Sequence, residues 1–267
     1  MSETIDVQKA DHVATVTLKQ MTMKRTFFGE CERVFNELNE DDELRAIVVC
    51  AAGKGFTYGL DLADAFSSFG GMISDGGSAL PRTQLYKEIL TLQRAFNAIE
   101  ASPVPVIAAV HGWCIGGGLD MISACDIRVA SVDAKFSLRE TRIAIVADLG
   151  SLQRVPRIIG EGHARELAFT GKDIDAEHAK RIGLVNNVYA DRDATLRAAQ
   201  ELAQEIAANP PLTVRGVKNV MNHSSDKTVA EGLDYVATWN SAFLVSDDLV
   251  EAATAFAAKR KPEFKGR

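Results

Sequence analysis

The chain has 267 residues, 46% of them hydrophobic and 25% charged, enough to bury a full-sized core in one large α/β domain with a helical appendage. Its net charge of -6 argues against a nucleic-acid footprint spread over the surface and confines any phosphate-binding site to a local basic pocket. No apolar run reaches the roughly 18 residues of a membrane span, and neither the start, Met-Ser-Glu-Thr-Ile-Asp-Val, nor the end, Phe-Lys-Gly-Arg, carries an address signal, so no membrane contact and a cytoplasmic location are expected.

Residues 4 to 18 alternate apolar and polar around Lys9-Ala-Asp-His12, with Ile5, Val7, Ala14, Val16 and Leu18 on one side, which predicts a β-hairpin. Helical periodicity runs from Phe27 to Leu38, and Ala46-Ile-Val-Val-Cys-Ala51 reads as a buried strand. Directly after it, Gly53-Lys-Gly-Phe-Thr-Tyr-Gly-Leu-Asp61 is either a turn whose Asp61 caps a helix or a segment that aims the N–H of Leu60 at a ligand oxygen. From Phe66 to Pro81, Gly70, Gly71, Gly76 and Gly77 stand among serines without a period, so a loop of lid length is expected.

Leu85, Ile89, Leu92, Phe96 and Ile99 recur at helical spacing, and Val104 to Val110 reads as another buried strand. Gly116 to Gly118 is the expected turn into a short helix carrying Asp120, followed by strands at Ile127 to Ala130 and Lys135 to Leu138. Strands alternating with helices imply a parallel α/β core. Beyond Gly150 the strand signal fades, and helices are expected at 164–169, 194–207, 212–221, 229–244 and 249–258, with Pro210-Pro211 and Asn222-His-Ser224 as punctuation. The expected division is a core over 1–200 and a helical region over 201–267 that packs against other subunits.

Cys31, Cys50, Cys114 and Cys125 form no CxxC pair and read as reduced, buried thiols. The five histidines show no paired spacing, so no metal is expected, and His111 at a strand end reads as a core hydrogen-bonding group.

Gly116-Gly117-Gly118 opening a helix offers backbone N–H groups to an oxyanion, or else serves close strand-helix packing. Each nearby acid also has a structural reading. Asp120 sits in a first helical turn, Asp148 can cap the helix through Arg154, and Glu140 can pair with Arg139 or Arg142. Taken together, a glycine-rich helix entry and three carboxylates are the toolkit of thioester enolate chemistry.

Phe56-Thr-Tyr-Gly-Leu-Asp61, Ala109-Val-His-Gly-Trp-Cys-Ile-Gly-Gly-Gly118, Phe169-Thr-Gly-Lys-Asp-Ile-Asp-Ala176 with Ile182-Gly-Leu-Val-Asn186, and Phe256-Ala-Ala-Lys-Arg-Lys-Pro262 follow one another in order. Over nearly its whole length the chain thereby resembles the crotonase superfamily, also called the enoyl-CoA hydratase/isomerase family. The resemblance implies a spiral of β-β-α units with a helical C-terminal region that assembles trimers or hexamers. It implies an acyl-CoA thioester substrate, no nucleic-acid partner and no separate cofactor, since CoA is part of the substrate. The N–H groups of Leu60 and Gly117 would hold the thioester oxygen.

The trio Asp120, Glu140 and Asp148 resembles that of the family's 3,5-dienoyl-CoA to 2,4-dienoyl-CoA isomerases of fatty-acid β-oxidation. Hydratases of the family carry glutamates at the first two positions and usually glycine at the third. The implied roles are Glu140 as base at carbon 2, Asp148 as acid at carbon 6 and Asp120 as a charged neighbour tuning Glu140. Lys24, Arg25, Lys54, Tyr58 and Asp61 are the expected acyl-CoA contacts. The first loop, Leu18-Lys-Gln-Met-Thr-Met23, is shorter than is usual in the family, and Tyr58 is bulkier than the small residue common there. Two other readings stay open: an enoyl-CoA hydratase, and a non-catalytic scaffold that binds acyl-CoA or RNA.

Overall fold

Alternation of side chains along β-strands decides where the layers of this molecule lie. The structure, a computed structural model, describes residues 3–67 and 79–267. Strands β1 (Ile5–Ala10) and β2 (Val13–Leu18) form the expected antiparallel hairpin. Its two turn residues, Asp11 and His12, both have positive φ, at 48° and 65°, the twist that joins short hairpins. Helix α1 (Arg25–Asn39) buries Phe27, Phe28, Cys31, Val34, Phe35 and Leu38 at helical spacing.

Strand β3 (Ala46–Ala51) is buried throughout because it is covered on both faces. Ile47, Val49 and Ala51 join the core beneath α1 and α2 (Ala79–Glu100), while Ala46, Val48 and Cys50 face α7 (Arg192–Ala207). Strand β4 (Val106–Val110) continues the sheet, and β5 (Trp113–Ile115) leaves it to lead into α3 (Gly117–Ser123). Strands β6 (Ile127–Ser131) and β7 (Lys135–Ser137) precede a single 3-10 turn, Glu140–Ile143. Then come α4 (Ser151–Ile159), α5 (Glu161–Thr170), β8 (Ile174–Asp175), α6 (Ala176–Arg181) and β9 (Asn187–Tyr189).

The main sheet has the order β1-β2-β3-β4-β6-β9, parallel from β2 onward, and β5-β7-β8 form a second, smaller sheet. The α/β core and its parallel pairing are thus as expected, but β5, β8 and β9 are additions. They hold two or three residues each, too few to establish a period. Helix α7 packs Ala199, Ala203 and Ala207 against the sheet, so residue 200 lies within a continuous helix. The expected loop from Phe66 to Pro81 falls mostly outside the described residues; at its ends, 62–67 and Ala79–Glu100 are helical.

Helices α8 (Pro211–Ser224), α9 (Val229–Phe243) and α10 (Asp247–Ala257) form the C-terminal region. Pro211 opens α8, consistent with its role as punctuation, whereas Asn222 to Ser224 remain helical. A capping box of Thr228 and Glu231 starts α9. Lys218 fastens α8 to the core: its buried ammonium donates to the Val104 carbonyl at 3.0 Å and to Asp126 Oδ2 at 2.7 Å. Asp248, also buried, accepts the N–H groups of Lys265 and Gly266. Arg128 spends its buried guanidinium on the carbonyls of Leu184, Ile122 and Cys125. The four cysteines are free and buried, as expected, and no described helix is long and apolar enough to cross a membrane.

Candidate active site

The site forms where the loop after β3 meets the entrance of α3. Thr57 donates its N–H to the Trp113 carbonyl at 2.8 Å and accepts that of Ile115 at 3.1 Å, holding the two segments side by side. Gly59 makes the contact close. Its φ is +79°, and a Cβ there would lie 2.6 Å from the Ile115 carbonyl oxygen and 3.0 Å from the Gly117 nitrogen. A Cβ built on Gly117 would in turn lie 3.8 Å from the Leu60 nitrogen. The N–H groups of Leu60 and Gly117 are therefore neighbours. Gly117 is the first residue of α3, whose N–H has no intrahelical acceptor. Among the described residues, Leu60 N–H has no backbone acceptor either. Two free donors beside a helix N-terminus can share one anionic oxygen.

A cleft of about 290 Å³ opens from these donors and is lined by Asp120, Glu140 and Asp148. Leu62, Ile115, Ile143, Ile145 and Leu149 supply its apolar wall, and Tyr58 and Arg139 complete it. The structure thus brings together six residues that the sequence singles out: Tyr58, Leu60, Gly117, Asp120, Glu140 and Asp148.

Asp120 is 1% exposed. Burial pushes its pKa up to about 6, opposed by its contacts with Ser151 and raised further by the charge of Asp148. Its Oδ1 accepts the Ser151 N–H at 2.7 Å, so Asp120 satisfies an orphan donor at the start of α4. This corrects one expectation. Asp148 is not the cap of that helix, because the chain passes from it through Gly150 in a left-handed conformation and the Asp148 side chain makes no cap bond.

Glu140 does not pair with Arg139 or Arg142. Arg139 forms a two-oxygen ion pair with Asp173 at 2.7 Å and lies 5.1 Å over the Trp113 ring, while Arg142 turns to the Thr170 carbonyl. Glu140 is left partly buried with Oε2 unpartnered among the described residues. Burial first, then the charges of Asp120 and Asp148, raise its pKa to about 7. Asp148 stands at the open rim, its pKa also raised by partial burial. A base that titrates near neutrality beside a second acid is suited to proton transfer.

The expected acyl-CoA contacts divide. Tyr58 lines the cleft. Asp61 takes the capping role instead: Oδ1 accepts the Asp64 N–H at 3.1 Å and Oδ2 the Thr22 hydroxyl at 2.9 Å, so its carboxylate is occupied. Arg25 is ion-paired with Glu88. Lys24 precedes α1, Lys54 is exposed, and neither has an ion pair among the described residues. His111 is a core group, its Nε2 bonding the Gly53 carbonyl at 2.9 Å. The sequence reading missed Arg139 as a wall of the cleft and missed Leu62, Ile143 and Ile145. Their only signal is a location close to Asp61 and Glu140.

Two neighbouring free N–H donors facing clustered carboxylates, on an α/β core of this topology, define a crotonase-fold enzyme acting on an acyl thioester. The chain belongs to the enoyl-CoA hydratase/isomerase family, which it matches over residues 8–267, and its substrate is an acyl-CoA. It is 47% identical over 244 residues to the mitochondrial Delta(3,5)-Delta(2,4)-dienoyl-CoA isomerase of Dictyostelium discoideum, covering 91% of this chain and 83% of that one. It is 45% identical over 239 residues to the peroxisomal enzyme of the same name from Arabidopsis thaliana, covering 89% and 86%. Among solved structures, an enoyl-CoA hydratase from Bacillus anthracis superposes with a TM-score of 0.89 at 30% identity, covering 99% of this chain and 100% of that one.

Proposed function

We propose that this chain converts 3,5-dienoyl-CoA to 2,4-dienoyl-CoA. The observation that carries the reading is the convergence of Asp120, Glu140 and Asp148 on one cleft with the free N–H groups of Leu60 and Gly117. Ionised Glu140 takes a proton from carbon 2, and the electron pair moves into the thioester carbonyl. The resulting dienolate oxygen is held by the two N–H groups, an arrangement in which loss of one donor costs roughly 3 to 4 kcal/mol of transition-state stabilisation. Protonated Asp148 then delivers a proton to carbon 6 as the double bonds shift to positions 2 and 4. Asp120 keeps the Glu140 pKa high, so that base and acid exchange roles over a small energy gap.

The similarity to two named dienoyl-CoA isomerases supports this reading. The named hydratase structure makes hydration the appropriate control. An RNA-binding or inert scaffold has no use for uncompensated buried carboxylates, which destabilise the fold. Lys24 and Lys54 are proposed to meet the CoA phosphates. The helices after α7 are proposed to mediate a homotrimer or homohexamer, supported by the exposed Met221, Leu233, Phe243, Leu244 and Phe256; light scattering reads the mass directly.

The test follows 3,5-octadienoyl-CoA by the ultraviolet absorbance of the conjugated product, with 2-enoyl-CoA hydration in parallel. Isomerisation is expected to dominate, and Asp148→Asn is expected to lower its turnover by about 10² to 10⁴-fold. Hydration without isomerisation would overturn the reading.

A further inference from the structure

We propose that Arg154 is a positioning residue for the isomerisation, acting through the backbone that carries Asp148; this rests on the reading of Asp148 as the acid. Local helix energetics do not account for Arg154. It lies near the start of α4, where a cation meets the positive end of the helix dipole. Its side chain is nevertheless 11% exposed and bonded through both terminal nitrogens, while its buried Nε has no partner among the described residues. Nη1 donates to the Leu149 carbonyl at 3.2 Å, and Nη2 donates to Asn97 Oδ1 and Glu100 Oε2, each at 2.7 Å.

Asn97 and Glu100 belong to α2 and share a face with Gln93, one helical turn earlier. Gln93 Nε2 donates to the Asp148 carbonyl at 2.6 Å. The segment is thus tied at three close points: Asp148 by Gln93, Leu149 by Arg154, and Ser151 by the Asp120 carboxylate. Gly150 makes room for the tie. Its φ is +120°, and a Cβ there would stand 1.9 Å from Arg154 Nη1.

The ties border open space on their far side. A polar cleft lined by Gln93, Asn97, Glu100 and Arg154 lies behind the segment and shares Asp148 and Leu149 with the active-site cleft. Asp148 therefore stands on a thin wall between two spaces, and without its ties the wall can move toward the rear one. Glu140 is carried by a different element, the 3-10 turn after β7, and makes none of these contacts; its one link to them is the charge of Asp120, on which Arg154 is the smallest of five influences. Loss of Arg154 should therefore impair proton delivery at carbon 6 while leaving proton removal at carbon 2 intact.

The experiment compares the wild type with Arg154→Met and Gln93→Met in deuterium oxide, using 3,5-octadienoyl-CoA. Product absorbance reports isomerisation, and mass spectrometry of the remaining substrate reports deuterium entering at carbon 2. A displacement of about 1 Å costs on the order of 10²-fold in rate. Turnover of Arg154→Met is expected to fall by that amount, with KM and carbon-2 exchange within about twofold of wild type, because the groups that bind the thioester are untouched. Gln93→Met, at a half-buried surface position, is expected to show the same split more weakly, and it decides the matter if Arg154→Met does not fold. Wild-type isomerisation in the variants, or exchange and isomerisation falling in parallel, would overturn the proposal. Failure of the wild type to isomerise at all would instead overturn the parent reading of the function.

Discussion

At the seam between α8 and the sheet, the buried Lys218 ammonium sits 2.7 Å from Asp126; in the cleft, the equally buried Asp120 faces Glu140 and Asp148 and has no ion pair among the described residues. The seam matches every buried charge with an opposite charge or a set of peptide groups, as Arg128 and Asp248 also do. The cleft gathers like charges and leaves a Glu140 oxygen unpartnered. Buried charge of the first kind holds a fold together, while the second kind is tolerated where chemistry needs it.

Removing the proposed base should break the contrast hardest. Glu140→Gln is expected to lower isomerase turnover by about 10² to 10⁴-fold with little loss of fold, measured by product absorbance and circular dichroism. In the proposed mechanism Glu140 must be ionised, so kcat/KM should fall about tenfold per pH unit as pH drops below about 7.

Asp120→Asn sharpens the contrast through stability. A carboxyl whose pKa rises from 3.8 to about 6 on folding favours the fold when protonated, and that advantage is lost as pH rises through about 6. The amide can still accept the Ser151 N–H, so the variant should be more stable than wild type by about 3 kcal/mol at pH 8. The gain should shrink toward zero near pH 4 in chemical denaturation. Because Asp120 also raises the Glu140 pKa, the acid limb of the rate profile should move to lower pH in the same variant.

At the seam the sign reverses. Lys218→Met strands Asp126 and should cost about 2 kcal/mol, read as a lower denaturation midpoint. Asp61→Ala removes only a cap and a hydroxyl contact and should lower the thermal midpoint by less than Lys218→Met does.

How much of this was legible depended on the distance over which each signal acts. The hairpin, α1, β3 and α2 announce themselves through period and run length within about a dozen residues. Gly117 and Asp120 stood out because a glycine triplet and an acid occupy one helical turn. Short strands such as β5 leave no period. That Asp120 rather than Asp148 satisfies the start of α4 was hidden for another reason: the contact comes from a side chain 31 residues earlier, and sequence rules for caps look only at neighbours. Asp61 went the other way, since its local reading as a cap was sufficient. Glu140 could not be freed from its arginine neighbours until the structure placed Arg139 on Asp173.

The main sheet ends in β9, three residues long, on one side and in β1 on the other. The outer stretch of β1 is exposed, and its Lys9 is held by Asp41 at 2.5 Å. A short edge and a charged one are both poor templates for another strand. Copies of this chain are thereby discouraged from growing edge to edge into an open-ended ribbon, which fits the proposal that they associate through helical faces, where rotational symmetry would close the assembly at a finite number of subunits.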